Sequence, residues 1–168
     1  MQLEEFYDYK NKLVEDLLTN EKIVRLIADT LPIFEKYESR KLVYTQVFPM
    51  EYIPDTIEDG KTFICIDVDI QKADGSTFLF PVLYVWIFSH RSRLILPEGG
   101  LRIDKLCSEI AKTINGSRKY GLGELNLHSV RRFVPMTDYY GKVLTFHAKD
   151  FNRLYDSNKP IPSNRKIT

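Results

Sequence analysis

The strongest constraint on the fold of this chain is a pair of apolar segments separated by a turn dipeptide. In residues 64–70, isoleucine and valine alternate with a cysteine and two aspartates, which is the period of a strand with one dry face. Asp74 and Gly75 then supply residues that tolerate positive φ in a tight hairpin. The return segment, 78–88, is apolar on both faces. It is therefore expected to be a central strand, or a strand with one face against another subunit.

The two faces of the return segment differ in character. One face carries mainly aromatic residues, and the other carries Leu, Val and Ile. Pro81 removes one backbone donor, which favours a bulge or a strand edge at that point. The aromatic face comprises Phe78, Phe80, Val82, Tyr84, Trp86 and Phe88.

Two helices are predicted before this hairpin. Apolar residues recur at helical spacing from residue 3 to residue 18, and Asn20 is suited to cap a second helix. Pro32 forces the preceding residue out of helical geometry and so ends the helical region. Residues 41–48 then have the β-branched and aromatic content of a strand, and residues 49–60 form a long loop.

The second half of the chain predicts one helix followed by two strands. Residues 101–114 have a single apolar stripe, and Gly116 is suited to the left-handed position after the helix. Residues 124–130 and 140–151 read as strands paired across a turn at 138–141. The apolar stripe of the helix consists of Ile103, Leu106, Cys107, Ile110, Ala111 and Ile114.

These elements predict an α+β fold in the order α-α-β-β-β-α-β-β. We expect a mostly antiparallel sheet of about five strands, covered by the N-terminal helix region and the central helix. A chain of 168 residues is the natural size for one domain, which we assign to residues 1–151. Residues 152–168 are polar and carry two prolines, and they predict an extended or mobile tail.

Charge and cysteine content restrict the classes of function. The chain has 24 Lys and Arg residues against 23 Asp and Glu residues, so no overall basic excess indicates nucleic acid binding. A local patch beside Tyr120 and Phe133 remains an alternative. Cys65 and Cys107 lack metal-ligand spacing and are expected to be buried, reduced thiols. The residues of the patch are Arg118, Lys119, Arg131 and Arg132.

The sequence gives no indication of a membrane segment. The N-terminus is acidic and lacks a hydrophobic signal core, and the apolar stretch 78–88 is too short to span a bilayer as a helix. An intracellular protein, or one assembled inside a cell, is therefore expected.

Asp67 and Asp69 are the residues that most resemble a catalytic pair. Residues at i and i+2 share a strand face, so their carboxylates could converge on Mg²⁺ in a metal-dependent nuclease. His90, Arg91 and Arg93 follow the partner strand, but no recognisable signature joins them to the pair. The simpler interpretation is the solvated face of a hairpin.

Other catalytic arrangements are absent from the sequence. His90, His128 and His147 lie in separate segments without metal-ligand spacing, although the last two are expected to face each other across the final hairpin. The glycines at 121 and 123 follow a helix and precede a strand, which is the reverse of a phosphate-binding loop. No nucleophile arrangement is visible. The sequence therefore predicts no enzyme activity and no cofactor.

Three segments carry a resemblance to a known family. "GGLRIDKLCSEIAKTINGSRKYGLGELNLHSV" and "DYYGKVLTFHAKDFN" resemble the second half of tail-terminator and tail-completion proteins of long-tailed bacteriophages and prophages. In that family a helix leads through a Gly-containing turn into a strand, and a "Y-x-G-[RK]-x-L-x-[FY]" strand closes the sheet near an aspartate-aromatic pair, here Asp150-Phe151. "YKNKLVEDLLTNEKIVRLI" is similar to the N-terminal helix of phage neck components.

The resemblance implies a non-enzymatic virion protein at the head–tail junction, assembled in the cytoplasm of the host bacterium. Its partners would be further copies of itself in a ring, commonly six-fold, together with connector, neck and tail-tube proteins. No cofactor or membrane is implied, and any DNA contact would be transient, through the ring lumen. A tail terminator is not distinguished from a head-closure subunit, and a soluble α+β binding domain of another role is a further alternative. The residues expected to contact neighbouring subunits are Tyr52, Ile53, Tyr84, Trp86, Phe151, Arg153 and Tyr155.

Overall fold

The structure is a computed structural model, and it describes residues 5–28, 39–53, 60–74 and 78–151. Its elements follow the predicted order of helices and strands. Within these ranges the helices are α1 (Glu5–Thr19), α2 (Glu21–Ala28) and α3 (Arg102–Ile114). The strands in the described part of the chain are β1 (Val47–Phe48), β2 (Thr62–Asp74), β3 (Phe78–His90), β4 (Asn126–Phe133), β5 (Tyr139–His147) and β6 (Asp150–Phe151).

The strands form one mixed sheet in which β3 is central. The order across the sheet is β1-β2-β3-β5-β4, and β6 pairs with the start of β3 beyond the end of β5. All pairings are antiparallel except that of β1 with β2, which is parallel. The predicted α+β fold with a mostly antiparallel, helix-covered sheet is confirmed. β3 is central in the sheet, which is one of the two positions that its apolar sequence predicted.

The N-terminal helices form because their apolar residues share one face and because Asn20 separates them. The Asn20 side chain accepts hydrogen bonds from the backbone N–H groups of Lys22 and Ile23, at 3.1 and 3.4 Å, which caps α2 as predicted. The residues that α1 and α2 bury are Tyr9, Leu13, Val14, Leu17, Leu18, Ile23, Val24, Leu26 and Ile27.

Helix α3 packs on the same face of the sheet as α1 and α2. Ile103, Leu106, Ile110 and Ile114 are almost fully buried in the core cluster that these helices share with the sheet. Gly116 has φ +75°, the left-handed conformation predicted for the residue after the helix. The helical phase read from the sequence is therefore confirmed.

The beginning of α3 contains a buried arginine that sequence patterns did not single out. Arg102 is 4% exposed, and its guanidinium donates to the carbonyl oxygens of Leu26 and Arg93 at 2.5 and 2.7 Å. These bonds join the start of α3 to the end of α2 and to the 3₁₀ turn Arg91–Arg93 that follows β3. Because both carbonyls are satisfied this way, Arg102 has a structural role.

The predicted strand over residues 41–48 is mostly wrong. Residues Arg40–Leu42 form a 3₁₀ turn, and Tyr44 adopts φ 59°, so only Val47 and Phe48 join the sheet. A residue with positive φ cannot continue a strand, and β-branched content alone does not reveal it. By contrast, the irregularity predicted at Pro81 is present as a register shift in the opposite strand, between Ile70 and Lys72.

Some expectations fall outside the residues that the structure describes. These are the helix end at Pro32, the turn at Gly75, most of the 49–60 loop, and the tail at 152–168.

Candidate functional site

The two faces of the sheet are covered in different ways. The larger core cluster contains the buried apolar residues of α1, α2 and α3 together with Ile66, Leu83 and Val85. The second cluster lies on the opposite face, and among the described residues it contains none from a helix. We call this opposite side, which bears Tyr84 and Trp86, the helix-free face.

Strand register defines two rows of side chains across the helix-free face. In the first row Asp67, Tyr84, Thr145 and Ser129 lie on neighbouring strands. In the second row the order is Cys65, Trp86, Val143 and Arg131. Aspartates therefore lie on the β2 side of the aromatic residues, and an arginine lies on the β4 side.

One end of the helix-free face is a packed aromatic cluster. Phe63, Phe88 and Tyr139 are buried there, with ring centroids 5.2–6.0 Å apart. Tyr52 stacks on Phe48 with centroids 4.0 Å apart. Because aromatic side chains fill this end without help from a helix, the face is dry near the cluster and more open toward Tyr84.

Tyr84 and Trp86 occupy the open part of this face. Their rings stack with centroids 5.5 Å apart and an interplanar angle of 22°, and both residues are half-buried. Trp86 also packs against the aromatic cluster, as does Tyr52. Ile53, which follows Tyr52, is 45% exposed.

The structure thus brings three of the expected subunit-contact residues, Tyr52, Tyr84 and Trp86, to one face, with Ile53 exposed beside them. Phe151 lies in β6 and pairs with Phe78, the first residue of β3. Arg153 and Tyr155 lie outside the described residues.

Asp67 and Asp69 do not form part of a larger metal-binding cluster in the described part of the chain. Asp67 accepts a hydrogen bond from the Lys10 ammonium group at 2.9 Å and another from the backbone N–H of Val68 at 2.9 Å. Asp69 is exposed. Among the described residues no group of three or more His, Cys, Asp or Glu side chains could hold a metal ion. The Lys10 contact was missed because 57 residues separate the partners and no local pattern relates them.

We expect substitution of either aspartate to change the stability of the fold only slightly. Asp69→Asn should change the free energy of unfolding by no more than about 0.5 kcal/mol, because the residue is exposed. Asp67→Asn loses a partly exposed ion pair and should cost between about 0 and 1 kcal/mol. Denaturant titration measures both. Divalent-metal-dependent cleavage of DNA or RNA by the pure protein, lost in the double variant, would instead support the nuclease alternative.

His128 and His147 face each other across the β4–β5 hairpin, as the sequence predicted. Their rings stack with centroids 3.9 Å apart and an interplanar angle of 11°. A register shift between Leu127 and Ser129 brings His128 to this position. Burial lowers the pKa of His147, and the charge of His128 lowers it further. Parallel rings at this spacing direct their nitrogen lone pairs side by side, which is unlike the convergent arrangement around a metal.

Protein stability should fall on mild acidification because of this pair. The folded pKa of His147 lies below its ordinary value of about 6.5, so the unfolded chain binds more protons as the pH falls through that value. We therefore expect the free energy of unfolding to decrease as the pH drops below about 6.5. His147→Gln should remove this contribution, and His128→Gln should remove only part of it, since burial remains. Denaturant titrations between neutral and mildly acidic pH measure the slopes, and equal slopes in wild type and His147→Gln would contradict the assignment.

The four basic residues proposed for nucleic acid contact do not form one patch. Arg118 pairs with Glu124, and the Lys119 ammonium lies 2.6 Å from Asp16. Arg131 and Arg132 are exposed on β4. Since Arg118 and Lys119 already have carboxylate partners, only the two β4 arginines present charge that is not neutralised locally in the described residues.

Both cysteines are free and buried, as expected. Burial raises the pKa of Cys65 to about 12 and that of Cys107 to about 11. Thiols with such values remain protonated near neutral pH, so neither residue is an activated nucleophile.

The fold and the helix-free face together describe a small α+β protein that is built on one sheet, with helices on one side of the sheet and aromatic residues on the other. No helix within the described ranges is long and apolar enough to cross a membrane. The chain belongs to the YomW family, whose model matches residues 20–148. The family name is of the type given to Bacillus phage and prophage proteins, which indicates an association with a phage. The match begins at the cap of α2 and ends just after β5. No match was found among curated proteins.

Proposed function

We propose that this protein is a ring-forming structural subunit of a phage particle, located at the head–tail junction, where it ends the tail tube and joins it to the connector. Membership of a phage-type family supports a role in a phage. The observation that carries the more specific role is the helix-free face, where stacked Tyr84 and Trp86 lie half-buried without a covering helix in the described residues.

A second copy is a suitable cover for this face. Half-buried aromatic side chains provide large contact areas with little loss of side-chain freedom, which makes them effective at protein interfaces. If this face is covered by a different surface of the neighbouring copy, each subunit contributes two different surfaces to the contacts of the assembly. Such a heterologous contact repeats around an axis and closes into a ring when its rotation fits. A six-fold ring is the form that we propose.

The proposed role requires binding and no turnover. The partners are further copies of the chain, the connector and neck proteins on one side, and the tail-tube protein on the other. The ring takes no cofactor, and DNA passes through its lumen with transient contact only. We place the protein in the virion, after assembly in the cytoplasm of the host.

The proposal is tested on phage particles. Deletion of the gene should give heads and tails that fail to join, and mass spectrometry with electron microscopy should locate the protein as a ring at the junction of intact particles. Complementation with Trp86→Lys should fail, because a charge on this face disrupts the contact. Ile95→Lys changes a residue that is 73% exposed and that pairs with Leu101 outside the named strands, and it should complement.

Thermal unfolding of the two purified variants serves as the control for folding. Absence of the protein from virions, with normal tails after deletion of its gene, would overturn the proposed role.

A further inference from the structure

The direction of β6 determines where the C-terminal segment leaves the molecule. β6 pairs antiparallel with Phe78 and Leu79, the first residues of β3. At Phe151 the backbone is therefore directed past the beginning of β3, away from Tyr84 and Trp86, which lie further along that strand. The C-terminal segment, residues 152–168, follows directly after β6.

This segment has the composition of a ligand for an acidic, aromatic surface. It contains four basic residues and one acidic residue, Asp156. Apart from the adjacent Leu154 and Tyr155, its larger apolar residues are separated by polar residues and by Pro160 and Pro162, a composition with few apolar residues to form a core of its own. The basic residues are Arg153, Lys159, Arg165 and Lys166, and the larger apolar ones are Leu154, Tyr155, Ile161 and Ile167.

The β2 side of the helix-free face is acidic. Asp67 is opposite Tyr84, and Asp69 follows it on the same face. Glu51 lies close to Cys65, since its charge contributes to raising the pKa of that thiol, and Cys65 is directly opposite Trp86. Two aspartates therefore lie on the β2 side of the stacked aromatic pair, and Glu51 lies near Cys65. Lys10 neutralises Asp67 in part, whereas Asp69 is exposed.

We infer that residues 152–168 of one copy dock on the helix-free face of a second copy. The basic residues lie along the acidic β2 side, with Arg153 near Asp69, and Tyr155 packs against the Tyr84–Trp86 pair. Opposite charges steer the segment and fix its position, and the aromatic contact supplies most of the buried apolar area. The inference rests on the proposed function for closure into a ring, but the docking itself requires only two copies of the chain.

The length and direction of the segment favour a second copy over the same one. Its 17 residues span roughly 55–60 Å when extended. Within one copy the segment would have to reverse and run back about 26 Å along β3 to reach Trp86. A neighbouring copy placed beyond the start of β3 is reached without that reversal.

Photo-cross-linking of the full chain distinguishes these arrangements. Tyr155 is replaced by p-benzoylphenylalanine, and equal amounts of ¹⁴N- and ¹⁵N-labelled protein are mixed at high concentration and irradiated. We expect cross-links from residue 155 to the tryptic peptide 73–91, which contains both Tyr84 and Trp86. Mixed-isotope products identify cross-links between copies.

Charge variants test the recognition. Asp69→Lys should lower the yield of mixed-isotope cross-links by about fivefold, which corresponds to ~1 kcal/mol. The matched control is Asp8→Lys, the same charge change at an exposed position on α1, and it should leave the yield unchanged. Added salt should lower the yield of the unsubstituted protein, because the charges involved are exposed.

Three results would overturn the inference: same-isotope products alone, cross-links to peptides outside the helix-free face, and equal yields from Asp69→Lys and Asp8→Lys. Loss of docking while the protein still forms a ring at the head–tail junction would reject this inference and retain the proposed function. Docking by a protein that is absent from virions would retain this inference and reject the proposed function.

Discussion

Ile110→Ala is expected to lower the free energy of unfolding by about 2–5 kcal/mol. Ile110 is fully buried in the middle of α3, in the core that the three helices share with the sheet. Truncation to alanine removes the transfer free energy of three carbon atoms and leaves a cavity. The neighbours of Ile110 come from helices and strands that are fixed by their own hydrogen bonds, so they cannot collapse fully into the space. Leu106→Ala, one turn earlier and also fully buried, should have a similar effect.

The measurement is denaturant titration followed by far-ultraviolet circular dichroism. Ser108→Ala is the matched control, since Ser108 is exposed on the same helix and its substitution should change the free energy of unfolding by no more than about 0.5 kcal/mol. Equal effects of Ser108→Ala and Ile110→Ala would show that α3 contributes little to the core.

Helix α3 could be predicted because its sequence and its environment give the same answer. Its apolar residues recur every three to four positions, and the fold buries that face on one side of one sheet. The predicted range, 101–114, differs by one residue from Arg102–Ile114. β3 was equally predictable, because an apolar segment with both faces hydrophobic is typical of a central strand. In both cases a local pattern was sufficient.

β1 could not be predicted, because its extent depends on distant residues. The side chain of Gln46 donates to the carbonyl oxygens of Ile27 and Thr62, which fixes the chain just before the strand. The positive φ of Tyr44 then limits pairing to the two residues Val47 and Phe48. A hydrogen bond to a residue 19 positions earlier leaves no trace in β propensity.

The candidate site shows the same division. The aromatic face of β3 followed from its period, so Tyr84 and Trp86 were identified from the sequence. The acidic residues beside them were identified too, but their relation to Trp86 depends on the strand register. Contacts between distant elements, such as that of Lys10 with Asp67, were not predictable. The alternation of residues along a strand shows which face of the sheet a side chain occupies. Which residues of other elements contact that side chain depends on the folded chain.

The glycine of the "Y-x-G-[RK]" pattern, Gly141, has a physical explanation in the structure. It lies in β5 between Phe88 on β3 and Phe133 on β4, and the rings of these two residues meet with centroids 5.9 Å apart. A Cβ atom at residue 141 would lie 2.6 Å from the Cβ of Phe88, 2.8 Å from its Cα, and closer still to the carbonyl oxygen of Ile87. Two strands therefore approach each other here at a distance that only glycine permits.

Gly141→Ala is expected to destabilise the protein by about 3 kcal/mol or more, at the upper end of the usual cost of overpacking. The atoms in the way belong to the backbone and to a Cβ, so a change of rotamer cannot remove the clash and β3 and β5 must separate. For the same reason Phe88→Leu should fail to rescue Gly141→Ala, because leucine keeps the Cα and Cβ. The neighbouring substitution Tyr140→Ala, at a residue 45% exposed, is the control and should cost much less. Thermal and denaturant unfolding measure these effects, and a cost below about 1 kcal/mol for Gly141→Ala would show that the two strands separate easily at this point.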